Sequence, residues 1–374
     1  MKKFITVYDR YIFTQVLVTT IVAILLFTIV WIAPEMLLST IKKVLNGIYT
    51  VKTGVLVLLY EIPQILGKAF PVGLLLGSLF TFDKLSKDSE LTIFRAVGMP
   101  FHRILAPLLV LSLIITYFCF VTYDKLIPYS CQKLQEIKGS KMLTQYIYTQ
   151  KDEKKRPKEA VVVSKFFNGK MSDVIVMDFA DKVYDDLHGL ENVLVAEEGY
   201  KGLTKDGKPC WVLNNIVFYD IDEEGIFKTV GKLDTTNILI GDAADNAYSI
   251  MINSTKRDRD IENKELGKYI KLLKQENLDE DYRLMLNKYY QRFFHPFVCV
   301  LLAIMGCLLG FSKPREQRLI GFTIAIGCIF VYYITLPFFD LLAEKGVLPP
   351  LVCAAFPPLA FLGAIIAFYK SKDL

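Results

Sequence analysis

Glu61, Gln64 and Lys68 are separated by three and four residues inside an otherwise apolar run, Val55–Phe82. Helical spacing puts this carboxylate, amide and ammonium on one face. The stripe lacks a nucleophile. Its two readings are a polar cavity lining or a structural contact between helices, because an ionisable group facing lipid is costly. Lys42 and Lys43 follow the first apolar run, with Lys52 close behind. They suit either snorkelling to headgroups or a cationic rim for phosphates. The segment Asp83–Pro100 (DKLSKDSELTIFRAVGMP) sets Leu91, Phe94 and Val97 at i, i+3 and i+6, with Glu90 and Arg95 pointing elsewhere. Ser86 or Asp88 supplies an N-cap, and Gly98 with Pro100 a stop. The spacing predicts a short surface helix that either inserts into a partner's groove or rests on lipid.

No GxxxxGK[ST] loop occurs, and no Ser-His-Asp grouping stands out. The three histidines, His102, His188 and His295, are scattered without metal-ligand spacing. Of seven cysteines, Cys119, Cys299, Cys307, Cys328 and Cys353 fall in apolar runs, where Cys is a small packing residue. Cys131 and Cys210 lie outside them, and spacing alone does not decide whether they pair. The net charge of +5 is dispersed, which argues against a nucleic-acid footprint. Energy for any work must come from another chain.

The elements that position these groups follow from six apolar runs: Tyr11–Ala33, Val55–Phe82, Ile104–Tyr123, Phe293–Phe311, Leu319–Asp340 and Pro349–Tyr369. Each approaches the roughly 20 residues that cross a bilayer. They are split three and three around a polar stretch, Asp124–Lys288. The first run is too long for a cleaved signal segment and reads as an uncleaved span. The predicted fold is a polytopic α-helical membrane protein with an inserted all-β, jelly-roll-like domain. Short-loop Lys and Arg number twelve on the side of the termini and four on the other. Both termini are therefore expected in the cytoplasm and the inserted domain outside it.

Within the insert, residues 144–150, 160–167, 173–179, 192–196 and 211–220 are short runs rich in β-branched or aromatic residues. Asn168-Gly169, His188-Gly189, Asp206-Gly207 and Glu224-Gly225 separate them as turns. That spacing suggests a sandwich or jelly roll, with Lys151–Lys158 as a charged loop tip. Leu266, Tyr269, Ile270 and Leu273 mark an amphipathic helix over 262–275. A second helix, from about Asp279, is expected to run into span four. Ser312-Lys313-Pro314-Arg315 reads as a basic turn after it.

The run from Leu85 to Gly98, with Ser89-Glu90-Leu91 and Ala96-Val97-Gly98, resembles the coupling segment of the lipopolysaccharide-export permeases of the LptF/LptG type. Asp9-Arg10-Tyr11, Lys42-Lys43, the Trp211 strand, Glu265-Leu266 with Tyr269-Ile270, and the Tyr-rich approach to span four match in order. The resemblance implies transmembrane halves at 1–123 and 289–374, a periplasmic β domain at 124–288 and a coupling helix within 84–99. It implies a multi-pass inner-membrane protein of a bacterium, a permease subunit that is not itself an enzyme. ATP and Mg would sit on a partner ABC ATPase dimer, and no cofactor is expected in this chain. Other expected partners are a second permease of the family, a periplasmic β-jelly-roll bridge protein and lipopolysaccharide or a related glycolipid. Glu90, Leu91, Phe94 and Arg95 would couple to the ATPase, and Lys42, Lys43 and Lys52 would form the phosphate rim. Glu61, Gln64 and Lys68 would line the cavity. Ile24, Phe27 and Trp31 on span one, and Tyr332 and Phe339 on span five, would touch acyl chains. Two alternatives are a membrane scaffold for an envelope protein and a permease for a different lipid or glycan.

Overall fold

The computed structural model describes residues 6–32, 36–138, 143–151, 157–167, 169–184, 187–222, 226–311 and 318–371. Most of the expected charged tip, Asn168, Glu224-Gly225 and the basic turn at 312–315 lie outside them. The chain divides into two compact units. One holds residues 1–137, 258–270 and 278–374, and the other 138–257 and 271–277.

Among the described residues of the first unit, six helices are long and apolar enough to cross a membrane. The spans lie in α1 (Val7–Ile32), α3 (Val51–Lys87), α5 (Phe101–Val121), α9 (Asp279–Gly310), α10 (Arg318–Glu344) and α11 (Pro350–Ser371). A short α2 (Leu38–Leu45) follows α1, and α4 (Glu90–Ala96) joins α3 to α5. A π turn over Thr122–Leu126 carries α5 into α6 (Ile127–Lys138). As expected, the polar residues from Asp279 continue without a break into the fourth span. Its neighbours are α3, α5, α10 and α11. The helices α3 and α9 are the most buried, while α1 and α10 keep most of their apolar surface outward. Without a hydrophobic force between helices in lipid, close backbone approach supplies much of the cohesion. At Gly77 of α3, a Cβ would lie 2.6 Å from the Cα of Thr20 on α1, so only glycine allows this crossing.

The second unit contains β1 (Leu143–Lys151), β2 (Pro157–Phe167), β3 (Lys170–Tyr184), β4 (Leu187–Leu203), β5 (Pro209–Ile221) and β6 (Phe227–Ile238). The inserted β domain is borne out, but its topology is simpler than a sandwich or jelly roll. The described strands form one antiparallel sheet in chain order, β1 to β6. The reason is local: each strand turns back on its predecessor, and β3 and β4 reach 15 and 17 residues, longer than the apolar runs suggested. Strand β6 had no expectation; Lys228, Lys232 and Asp234 interrupt its apolar pattern, and most of it is exposed.

One face of the sheet is apolar in successive cross-strand rows. Tyr146, Val163, Val174, Ala196 and Ile216 form one, and Tyr148, Val161, Val176, Leu194 and Phe218 the next. Asp173 and Asn215 adopt positive φ, interrupting the alternation so that Met171 and Val174, and Leu213 and Ile216, are all buried. Trp211 is buried as well, and its Nε1 donates to the Ala244 carbonyl of α7 (Asp242–Ser254) at 3.0 Å. The helix expected from Leu266, Tyr269, Ile270 and Leu273 is α8 (Asn263–Gln275), with all four side chains buried.

The apolar rows end at Glu159, which faces Asp178 across β2 and β3, with Asn192 and Asp220 beyond. Burial, then the Asp178 carboxylate, push Glu159 up to about 7 from 4.5. A carboxyl raised in the folded state favours folding below about pH 4.5, and that contribution is lost as pH rises through 7. Glu159→Gln is expected to stabilise this unit by about 1–3 kcal/mol at pH 8 and to flatten its pH dependence between 5 and 7. Urea unfolding of the full chain, followed by Trp211 fluorescence in a Trp31→Phe background, measures it. Midpoints that fall equally in both proteins would refute the assignment.

Candidate functional site

The first unit holds an open cavity of about 270 Å³ built mainly from α9 and α10, with Lys68 the one lining residue from α3. Its lining carries four cations, Lys68, Arg259, Lys288 and Arg292, against two carboxylates, Asp258 and Asp340. Most of these charges are satisfied locally. Asp340 of α10 accepts from Asn287 and Gln291 of α9, each at 2.8 Å, and pairs with Lys288. Arg292, itself buried, donates to the Ile261 carbonyl at 2.8 Å and the Asn263 Oδ1 at 2.7 Å, and also reaches the Asp258 carbonyl. His295 of α9 bonds Tyr332 of α10. The Asp340 and Tyr332 contacts tie α10 to α9, and three donors hold the Asp340 carboxylate in place.

Lys68 differs. Among the described residues it makes no ion pair. Its Nζ lies over the Trp31 ring of α1, 5.3 Å from the centroid, a cation–π contact. Phe27 stacks on Trp31 with centroids 5.5 Å apart. Tyr333 donates to the Lys68 carbonyl at 2.9 Å, linking α10 to α3. An exposed ammonium beside stacked aromatic rings therefore stands at a cavity whose wall mixes charged and apolar side chains. That pairing suits an amphiphile with an anionic head.

The structure brings together Phe27, Trp31, Lys68 and Tyr332 from the sequence reading, and it separates the rest. Gln64 turns to α6, where its Nε2 meets the Cys131 Sγ at 3.0 Å, and Glu61 is buried. The stripe on α3 therefore does not act as one ladder. Its members span about 60° of the helix, and two neighbours, α6 and α1, take different side chains. Ile24 packs onto Gly73 of α3. Phe339 sits against Phe356, 4.9 Å away, rather than in the cavity. Lys42 and Lys43 are on α2 and Lys52 in the first turn of α3, none of them in the cavity lining. Lys43 lies over the Tyr49 ring. Cys131 and Cys210 are both free thiols. Sequence reasoning missed Lys288, Gln291 and Arg292. With His295 they fall at i, i+3, i+4 and i+7 ahead of the apolar part of α9, a polar stripe that helical periodicity could have flagged.

A second site is the short helix α4. Its cap is not Ser86 or Asp88: α3 runs through Ser86 to Lys87, Asp88 is the C-cap of α3, and Ser89, at φ 61, makes the break before α4. Gly98 ends α4 at φ 81, with Gly98 N–H donating to the Arg95 carbonyl and Met99 N–H to the Phe94 carbonyl, as a left-handed C-terminal stop requires. The inward and outward faces differ from the expectation. Leu91 is 2% exposed and Phe94 packs its ring edge against Tyr8, 4.8 Å away, so both anchor the helix within this chain. The outward apolar residues are Ile93 and Val97, 58% and 79% exposed, with Arg95 beside them. The i, i+3 pair Leu91 and Phe94 shares the inward face, but Val97 at i+6 falls with Ile93 on the other side, and spacing does not tell which side turns in. Span one grips the segment: Tyr11 donates to a Glu90 oxygen at 2.9 Å, and Arg103 pairs with Asp9 at 2.7 Å.

With six spans, an inserted sheet and a clamped connecting helix in place, the family comparison decides the class. The family described as lipopolysaccharide export system permease LptF/LptG matches residues 10–371. The chain belongs to this family. No curated relative matches it. As an LptF/LptG permease it is a multi-pass transport subunit of the lipopolysaccharide-export type.

Proposed function

We propose that this chain forms one half of the membrane path of an ATP-driven lipopolysaccharide exporter in the bacterial inner membrane. Its termini and α4 face the cytoplasm, and the sheet unit is periplasmic. A second permease of the family completes the cavity against the outward faces of α1 and α10. A cytoplasmic ABC ATPase dimer, carrying the ATP and Mg, docks on α4. Glycolipid from the outer leaflet is drawn in, squeezed out as the ATPase closes, and passed by way of the periplasmic sheet unit to a β-jelly-roll bridge protein.

The observation that carries this reading is Lys68, an ammonium that pairs with no carboxylate among the described residues and is seated on Trp31 beside a cavity lined by charged and aromatic side chains. It offers a charge-assisted bond to a lipid phosphate while the adjoining rings meet the acyl chains. Lys42, Lys43 and Lys52, clustered in α2 and early α3, form the outer rim. Lys68→Glu is expected to lower glycolipid crosslinking at position 31 about tenfold or more, because a salt bridge becomes a like-charge contact. Position 31 carries a photoreactive phenylalanine in the assembled transporter. Undiminished crosslinking would reject the headgroup role. Crosslinks to another lipid class would favour a different cargo, and none at all a scaffold.

A further inference from the structure

The outer face of the π turn carries a second groove, of about 860 Å³, that shares no lining residue with the Lys68 cavity. A π turn re-aims side chains that a regular helix would place elsewhere. Here it follows the apolar run of α5, so it falls where the chain passes from acyl chains to headgroups. Tyr123 faces the first cavity, whereas Lys125 and Leu126 are exposed in the groove. The floor is aromatic, with Phe120 and Phe293 5.7 Å apart. The rim carries Lys125, Lys264 and Glu262, all exposed, and none makes an ion pair among the described residues. The rim is also fixed in place. Asp124 accepts the Asn263 backbone N–H at 3.4 Å, and Asn263 in turn holds Arg292.

We infer that this groove is a binding site for a zwitterionic diacyl phospholipid with a phosphoethanolamine head. The match is chemical at each level. Lys125 and Lys264 supply two ammonium groups for the phosphate. Glu262 supplies a carboxylate for the primary ammonium of the head, which donates hydrogen bonds that a quaternary choline cannot. The Phe120–Phe293 floor lies on the side of the apolar run, where an acyl chain would lie. A purely anionic lipid would meet Glu262 unfavourably. A bound lipid would brace α5 where it leaves the apolar zone, whatever cargo the transporter moves.

Photoactivatable phosphatidylethanolamine, added to the full chain in phosphatidylglycerol nanodiscs, tests the site. Adducts are expected on peptides spanning 118–129 and 262–264. In native mass spectrometry, Lys125→Glu with Lys264→Glu should reduce retained phosphatidylethanolamine about fivefold or more. Glu262→Lys should shift preference towards phosphatidylglycerol. Lys208→Ala, on an exposed turn of the sheet unit, should leave retention unchanged; crosslinking at position 31 reports on the transport reading and the adduct map on this one, so their failures are told apart. Adducts absent from those peptides in the unmodified protein, or equal retention of the two lipids, would overturn the proposal. So would glycolipid cargo displacing phosphatidylethanolamine there. The adduct map does not depend on any variant folding.

Discussion

Ile93→Asp is expected to release the partner ATPase from the permease, with affinity falling about 10- to 100-fold. Ile93 is 58% exposed and stands with Val97 on the outward side of α4. Burying an aliphatic side chain of this size in a partner's groove is worth about 1.5–3 kcal/mol, which sets that range. A carboxylate in the same groove adds a desolvation cost. The fold of the permease should survive, because Ile93 makes little contact within the chain. Leu91→Asp makes the contrast: it puts a charge at a position 2% exposed, so the permease itself should fail to accumulate. Copurification of ATPase with detergent-extracted permease separates the two. If Ile93→Asp and Val97→Asp together leave complex formation intact, α4 is not the docking element. Glu90→Arg probes the polar side of the contact, since Glu90 has one oxygen bonded to Tyr11 and its helix turned outward.

The same contacts suggest how force would travel. A push on α4 reaches α1 directly, through Tyr11 on Glu90, Asp9 on Arg103 and the Tyr8–Phe94 ring contact. Helix α1 carries Trp31 about six turns further along, beside Lys68. On the proposed coupling, Asp9 and Tyr11 at the opening of span one would link the connecting helix to the helix that carries Trp31.

The division into six spans and an inserted sheet could be read from the chain because each signal is local. Apolar runs of span length and β-branched runs between Gly turns depend on neighbouring residues only. The amphipathic stripe of α8 and the uninterrupted entrance to α9 were legible for the same reason. The candidate site was less legible. Lys68 and Trp31 were each visible, but their contact joins two helices. Gln64 and Lys68 share a face by spacing, yet α6 takes one and α1 the other. Leu91 and Phe94 were assigned outward because spacing carries no sign. Asp340 looked like the mere end of an apolar run until three donors on α9 surrounded it. Such facts belong to pairs of elements, and a single sequence holds only the separate halves.

Gly306→Val is expected to be the most damaging single substitution in the helical unit. A Cβ at Gly306 would lie 2.1 Å from the Ser78 Oγ and 2.3 Å from the Leu75 carbonyl oxygen of α3. The hydroxyl can rotate away; the carbonyl cannot, because it is helical backbone. Helix α9 would have to move off α3, and α9 also carries the contacts to α5, α10 and α11. Overpacking a close interface costs about 1–3 kcal/mol, and more where backbone must shift. Separation would also draw Lys288 and Gln291 away from Asp340 and loosen α10. The expected readout is a thermal midpoint lowered by several degrees in detergent, with loss of assembled transporter. Gly327→Val on α10 provides the control: nothing lies within 4 Å of its added Cβ in this chain, so the isolated permease should keep its midpoint. Equal midpoints for Gly306→Val and Gly327→Val would mean that close α3–α9 contact does not hold the unit together.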